Sequence, residues 1–309
     1  MSAHDLQLRP GGDFLAHLEC GPGGYGQASA LGFADRLRQR AQGGVVVLLV
    51  LGEPLSGKST FVQNLLLWLM GPPAEASPLQ FKLIRWGDAM RAQRQLGLLP
   101  ADRLPGDLSA AEFAGLSEFV GEQICAAVES IGAAPGLVVA EAPGCTAVVR
   151  DGQIEGLDRG LSTCRALVAD ERVHYAALVA DSALRARFVA SRETAPGEAT
   201  NARQATPLAA NRINQQLTAL VARLHAEGRL SIPGATAGDI LPELERDTER
   251  RDESVFRQFL PYLLREEIGA PPDRALVARN VLLPDLPGSA MPPTLSMDQF
   301  DFVKERYGI

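Results

Sequence analysis

Seven consecutive apolar residues, Val45-Val46-Val47-Leu48-Leu49-Val50-Leu51, most of them β-branched, predict a strand buried on both faces, as in a parallel sheet. Three further runs read as strands: Leu79–Trp86, Gly136–Glu141 and His174–Asp181, the last two ending in a carboxylate. Between and around them the period lengthens to that of a helix. Residues 28–41 place Leu31, Ala34, Leu37 and Ala41 on one face, and Phe61–Met70 forms a helix-length run stopped by Gly71-Pro72-Pro73. Gly87 to Arg94 starts another. Ser109-Ala110-Ala111-Glu112 has the form of a capping box and opens a helix with Phe113, Leu116, Val120, Ile124 and Val128 in one stripe. Ser182–Arg192 is predicted helical. Thr206-Pro207 starts a helix carrying Ile213, Leu217, Leu220, Val221 and Leu224 that stops near Gly228. Ser254–Ile268 is apolar-periodic but holds Pro261, which predicts a kink or a split. Strands alternating with helices imply an α/β fold, its parallel sheet wound in right-handed crossovers and its ligands at the C-terminal ends of the strands.

What lies between strand one and its helix gives the chain its chemistry. Gly52-Glu53-Pro54-Leu55-Ser56-Gly57-Lys58-Ser59-Thr60 fits the phosphate-binding pattern G-x-x-x-x-G-K-[ST] without a mismatch, in the strand–turn–helix context it needs. Backbone N–H groups at a fresh helix N-terminus cradle phosphate oxygens, and the glycines let the backbone approach. Lys58 is then expected to reach the β- and γ-phosphates and the Ser59 hydroxyl to ligate magnesium. Only Lys58, Lys82 and Lys304 among the thirty basic residues are lysine, so a compact ammonium at 58 stands out in a chain that otherwise uses arginine. The expected fold is a three-layer P-loop NTPase fold, a parallel sheet flanked by helices, with helical additions. By contrast, Gly21-Pro22-Gly23-Gly24-Tyr25-Gly26 has no strand leading into it and reads as a plain loop.

Bulk properties narrow the setting. A chain of 309 residues holds one large domain or a core with additions, and its net charge of −7 offers no basic footprint for nucleic acid. Cys20, Cys125, Cys145 and Cys164 have no close spacing, so neither a zinc site nor a disulfide framework is expected. The first residues lack a signal-peptide layout, and no apolar run approaches the roughly 20 residues of a spanning helix. A cytoplasmic protein with no membrane association is the expectation.

Taken together, the loop, the Gly87-Asp88-Ala89-Met90-Arg91 segment after strand two and Glu141 at the end of strand three resemble the nucleoside monophosphate kinases, adenylate kinase in particular. The resemblance covers about residues 45–192. It implies that Arg91 grips the acceptor's phosphate and that Glu141 holds magnesium-bound water. Arg187 and Arg192, in Ala180-Asp181-Ser182-Ala183-Leu184-Arg185-Ala186-Arg187-Phe188-Val189-Ala190-Ser191-Arg192, approach the transferring phosphoryl group by the same likeness, and Arg250 and Arg257 stand where further arginines follow the lid. Two departures are plain. Gly144 stands in Glu141-Ala142-Pro143-Gly144 where the family has an arginine, and residues 193–249 replace a compact flap.

The implied organisation is an N-terminal helical cap (1–44), a kinase-like core (45–192), an enlarged lid or helical insertion (193–249), a C-terminal helical part of the core (250–283), and a proline-rich linker with a tail helix (284–309). The implied activity is transfer of the γ-phosphoryl of ATP, or another NTP, to a small-molecule acceptor with Mg2+ present. For a hydroxyl acceptor Asp88 is the candidate base; a phosphate acceptor needs none. The alternative is a regulatory or scaffolding NTPase with a protein partner on the lid insertion or tail.

Overall fold

The structure is a computed structural model and describes residues 10–22, 25, 29–53, 56–70, 79–100, 108–141, 147–150, 153–157, 171–181, 184–185, 212–235 and 239–280. Within these the chain forms an α/β fold around a six-stranded, mostly parallel sheet. Its strands are β1 (Glu19–Cys20), β2 (Val45–Gly52), β3 (Gln80–Arg85), β4 (Gly136–Glu141), β7 (Val173–Ala180) and β8 (Ala275–Asn280), in the order β1-β8-β7-β2-β4-β3. Only β1 runs antiparallel, against β8. A separate hairpin pairs β5 (Ala147–Arg150) with β6 (Gln153–Leu157).

The continuous apolar run is the central strand, every residue of β2 being buried. Its side chains alternate between two cores. Val45, Val47, Leu49 and Leu51 pack with Leu116, Val120 and Ile124 of helix α5 (Ala110–Ile131) and with helix α6 (Arg212–Ala226) through Leu217, Val221 and Leu224. On the other face Val46, Leu48 and Val50 meet Phe33 and Leu37 of α2 (Ala30–Gln42) and Phe61 and Leu65 of α3 (Lys58–Met70), with Leu15 of α1 (Pro10–His17) behind them. Helices thus cover both faces, as a strand apolar on both sides requires.

Local chemistry sets the helix starts. The Ser29 side chain accepts from Gly32 N at 3.0 Å to cap α2. At α5, Glu112 N donates to Ser109 Oγ and Ser109 N donates to Glu112 Oε2, completing the expected capping box. Helix α4 (Trp86–Gln95) grows directly out of β3, and Asp88 lies inside its first turn rather than capping it.

Two sequence expectations change. The segment 250–283 is not helical throughout, because β8 closes it and extends the sheet beside β7. Of the kink or split expected at Pro261, the split does not occur. Helix α8 follows the short α7 (Leu241–Arg246) and runs on through α-helical Thr248–Ser254, π-helical Val255–Phe259, α-helical Leu260–Tyr262 and π-helical Leu263–Ile268. A proline lacks the N–H for an ordinary turn and crowds the carbonyl four residues back. Widening the helix around Leu260–Tyr262 accommodates both defects without a break.

At the N-terminal ends of the strands, His174 of β7 is buried, its Nδ1 3.1 Å from Arg172 O and its Nε2 3.2 Å from Arg40 Nη1. Arg40 in turn bonds Asp273 at 2.7 Å. Burial, reinforced by the nearby Arg40 and Arg274 charges, pushes the imidazole from 6.5 down to about 4, although the bond to Arg172 O works the other way.

Candidate functional site

Going out from β2, the chain crosses back over β4 to β3, whereas from β7 it goes the other way to β8. The strand order reverses between β2 and β7. The crevice at the C-terminal ends of such strands is where open α/β sheets bind ligands. The loop 52–60 leaves β2 at this point.

Its backbone is built around two glycines. Gly52 has φ +153°, and a Cβ there would lie 2.6 Å from Leu178 O of β7 and 2.6 Å from Ser56 Oγ. Gly57 has φ +80° and turns the chain into α3, whose first residue is Lys58. The Lys58 ammonium folds back to donate to Gly52 O at 2.8 Å and Glu53 O at 2.7 Å. Ser56 N donates to Glu53 O at 3.2 Å, and Phe61 N to Gly57 O at 2.8 Å. Ser59 is exposed and Thr60 half-buried in the first turn of α3; Pro54 and Leu55 lie outside the described residues.

Glu53 is 2 % exposed, and burying a lone carboxylate there would be costly. It is paired. Arg251 of α8, itself 1 % exposed, donates through Nη2 to Glu53 Oε2 at 2.8 Å, through Nη1 to Asp252 Oδ1 at 2.7 Å, and through Nε to Thr218 Oγ1 of α6 at 2.8 Å. Arg185, just beyond β7, donates to the same Asp252 Oδ1 at 3.1 Å and to Ala180 O at 3.0 Å. From the end of β8, the Asn280 amide donates to Ser56 O. Two carboxylates and two guanidiniums thus form a buried set against the loop. Burial alone would raise the Glu53 carboxyl, but Arg251, Arg185 and Lys58 outweigh it and hold it below its ordinary value. For Asp252 burial outweighs both arginines and the direction is upward. Arg251 moves up, because the two carboxylates overcome a burial effect that would lower it.

On the other side of β2, Glu141 ends β4 level with Val50 of β2 and Arg85 of β3. It is half-buried, and its Oε1 has no hydrogen-bond partner among the described residues. Such an acceptor suits a water-coordinated divalent cation, and the exposed Ser59 hydroxyl is a second oxygen of the same kind.

The described arginines of the expected set are engaged in other pairs. Arg91 makes an ion pair with Asp88 one turn back along α4, both on the exposed face. Arg187 and Arg192 lie outside the described residues. Arg250 bonds Glu243 at 2.7 Å and Pro233 O at 3.1 Å, and Arg257 pairs with Glu253 and Glu19, so neither bonds the loop among the described residues. The arginine that does is their neighbour Arg251. A signal for it was present: Arg251, Val255, Phe256, Phe259, Leu263 and Leu264 follow helical spacing, so this arginine extends the apolar stripe by one turn. Nothing local marked Glu53, Arg185 or Asn280 as its company.

No family model matches the chain, and no curated protein matches it. Among the described residues no helix is long and apolar enough to cross a membrane.

Proposed function

We propose that this chain is a nucleotide-binding α/β protein of the P-loop class. Within that class we propose an ATP- and magnesium-dependent phosphotransferase of the nucleotide-kinase type, acting on a small-molecule acceptor in the cytoplasm. The observation that carries the reading is the arrangement of Gly57, Lys58 and Glu141. A left-handed glycine turns the chain into a helix whose first residue is the lysine, and a carboxylate whose buried Oε1 has no hydrogen-bond partner among the described residues ends the adjacent strand. Helix N-terminal amides and the ammonium of a long, flexible side-chain stem suit a polyphosphate. The Ser59 hydroxyl and, through water, Glu141 would hold a magnesium ion, which neutralises charge as the phosphoryl group moves. The protein's share is to position the phosphates with the loop amides and Lys58 and to keep the acceptor in line, since phosphoryl transfer asks for placement more than for a protein nucleophile.

The test follows ADP while purified protein with MgATP is offered nucleosides, nucleoside monophosphates and small alcohols. ADP formation dependent on one acceptor, and lost in Lys58→Ala, is expected. Tight MgATP binding with no acceptor-stimulated turnover would select a regulatory NTPase instead. One observation favours that second reading: Arg91 is neutralised by Asp88 on an exposed helix face and touches neither the loop nor Glu141 among the contacts described.

A further inference from the structure

The buried ion set around Arg251 does something more specific than fill space. Residue 53 is a pivot. Its side chain is held by Arg251 Nη2 at 2.8 Å, while its own carbonyl accepts Lys58 Nζ at 2.7 Å and Ser56 N at 3.2 Å. Arg251 is fixed in turn from two further directions, by Thr218 Oγ1 of α6 and Asp252 Oδ1 of α8. Its planar fork therefore has one orientation, as a bidentate or tridentate guanidinium does and an ammonium does not. Pinning the Glu53 carboxylate pins the peptide that follows it, and that peptide's carbonyl is one of the groups that set where the Lys58 ammonium sits. Geometry of this kind acts at a distance from any phosphate.

From this we infer that Arg251 is a positioning residue for the loop, acting on Lys58 through Glu53. The inference rests on the nucleotide-binding reading of the loop and goes beyond it, because it assigns a role in helix α8 to Arg251, where the family resemblance offered only Arg250 and Arg257. Energetics favour a positional role over a purely stabilising one. A buried ion pair contributes little net stability compared with apolar residues of similar volume, because desolvation offsets the attraction. The set is also incompletely satisfied. Glu53 Oε1, Asp252 Oδ2 and Arg185 Nε have no hydrogen-bond partner among the described residues, an arrangement poor for stability alone. What the set does provide is a rigid line from α6 and α8 to residue 53. Arg251 is not a free cation for the transferring phosphoryl group, since its charge is met by two carboxylates.

A double-mutant design tests the route. Glu53→Leu with Arg251→Met removes the pair without leaving either charge unpaired, and Arg185 with Asp252 remains neutral beside it. MgATP is titrated by calorimetry into wild type, E53L/R251M, K58A and the triple variant, with thermal unfolding recorded for each. The expected result is a Tm near that of wild type for E53L/R251M, with MgATP affinity reduced on the order of 10-fold. In the K58A background the same pair of substitutions should change affinity by less than about twofold, since contributions along one route are not additive. A loss of equal size in both backgrounds overturns the route through Lys58. Unchanged affinity in E53L/R251M overturns the positioning role altogether. Should the double variant not fold, R251K is read by the same two criteria, because one ammonium cannot hold Glu53, Asp252 and Thr218 at once. No binding of MgATP to folded wild type would overturn the nucleotide reading itself, and is told apart from the other outcomes because K58A then has nothing to lose.

Discussion

Gly52→Ala is the sharpest perturbation of the loop, because two separate costs fall on one methyl group. The first is backbone strain: φ is +153°, where L residues are rarely found, at a cost of about 1–3 kcal/mol. The second is contact. The new Cβ would sit 2.6 Å from Leu178 O, and that oxygen belongs to β7, whose Leu178 is in register with Gly52. A backbone carbonyl in a buried ladder cannot swing aside as a side-chain end can, so relief requires the loop to move, at roughly another 1–3 kcal/mol. Gly44 separates the two terms. It has φ +151° with nothing within 4 Å of its would-be Cβ, so Gly44→Ala carries the strain without the collision. Urea unfolding of both variants should show Gly52→Ala losing about 2 kcal/mol more than Gly44→Ala. Because the loop moves only in the first, MgATP affinity should fall in Gly52→Ala and hold in Gly44→Ala. Equal losses of stability in the two variants would refute the claim that the β7 carbonyl confines this turn.

The remaining predictions are less local. His174 titrates at about 4 in the fold against 6.5 ordinarily, so the native state refuses a proton that the unfolded chain accepts between those values. Stability therefore falls as pH drops from 6.5 to 4, by about 3 kcal/mol in all, and His174→Leu should flatten most of that slope in urea titrations at pH 7 and 4.5. Ser109→Ala removes the cap of α5 and should cost about 1 kcal/mol by chemical denaturation, with nucleotide binding unaffected. Asp88→Asn should lower turnover on a hydroxyl acceptor at least ~100-fold and change turnover on a phosphate acceptor little. Full activity on an alcohol in that variant would remove Asp88 as the base.

How much of this was written in the sequence depended on how far apart the cooperating residues lie. The strand–loop–helix unit was legible because all of its parts fall between Val45 and Met70. Helix α5 was legible from its capping box and stripe, both local. Strand β8 was not. Its apolar core is Ala275-Leu276-Val277-Ala278, a run too short to tell from a helix end by period alone, and its partner β7 lies about a hundred residues earlier. The π-helical stretches around Pro261 were also out of reach, since a proline in an apolar-periodic run predicts disruption and does not say whether the chain will widen or break.

Arg251 is the intermediate case. A sequence can say that an arginine on an apolar stripe will be buried, and burial demands an acid opposite it. It cannot say which acid, and here the partner is 198 positions away in the middle of a glycine loop. That choice of partner explains an oddity of the loop itself. A carboxylate one residue after Gly52 would repel phosphate if it faced the ligand. Turned inward against Arg251 and Arg185 it is neutralised, and only the carbonyl of residue 53 remains on the Lys58 side. On the proposed nucleotide reading, the loop then presents the lysine's positive charge to a phosphate, and it gains a rigid foot in α8. An acid in this position is useful only if the arginine is there, which is why the two substitutions should be tolerated together better than either is alone.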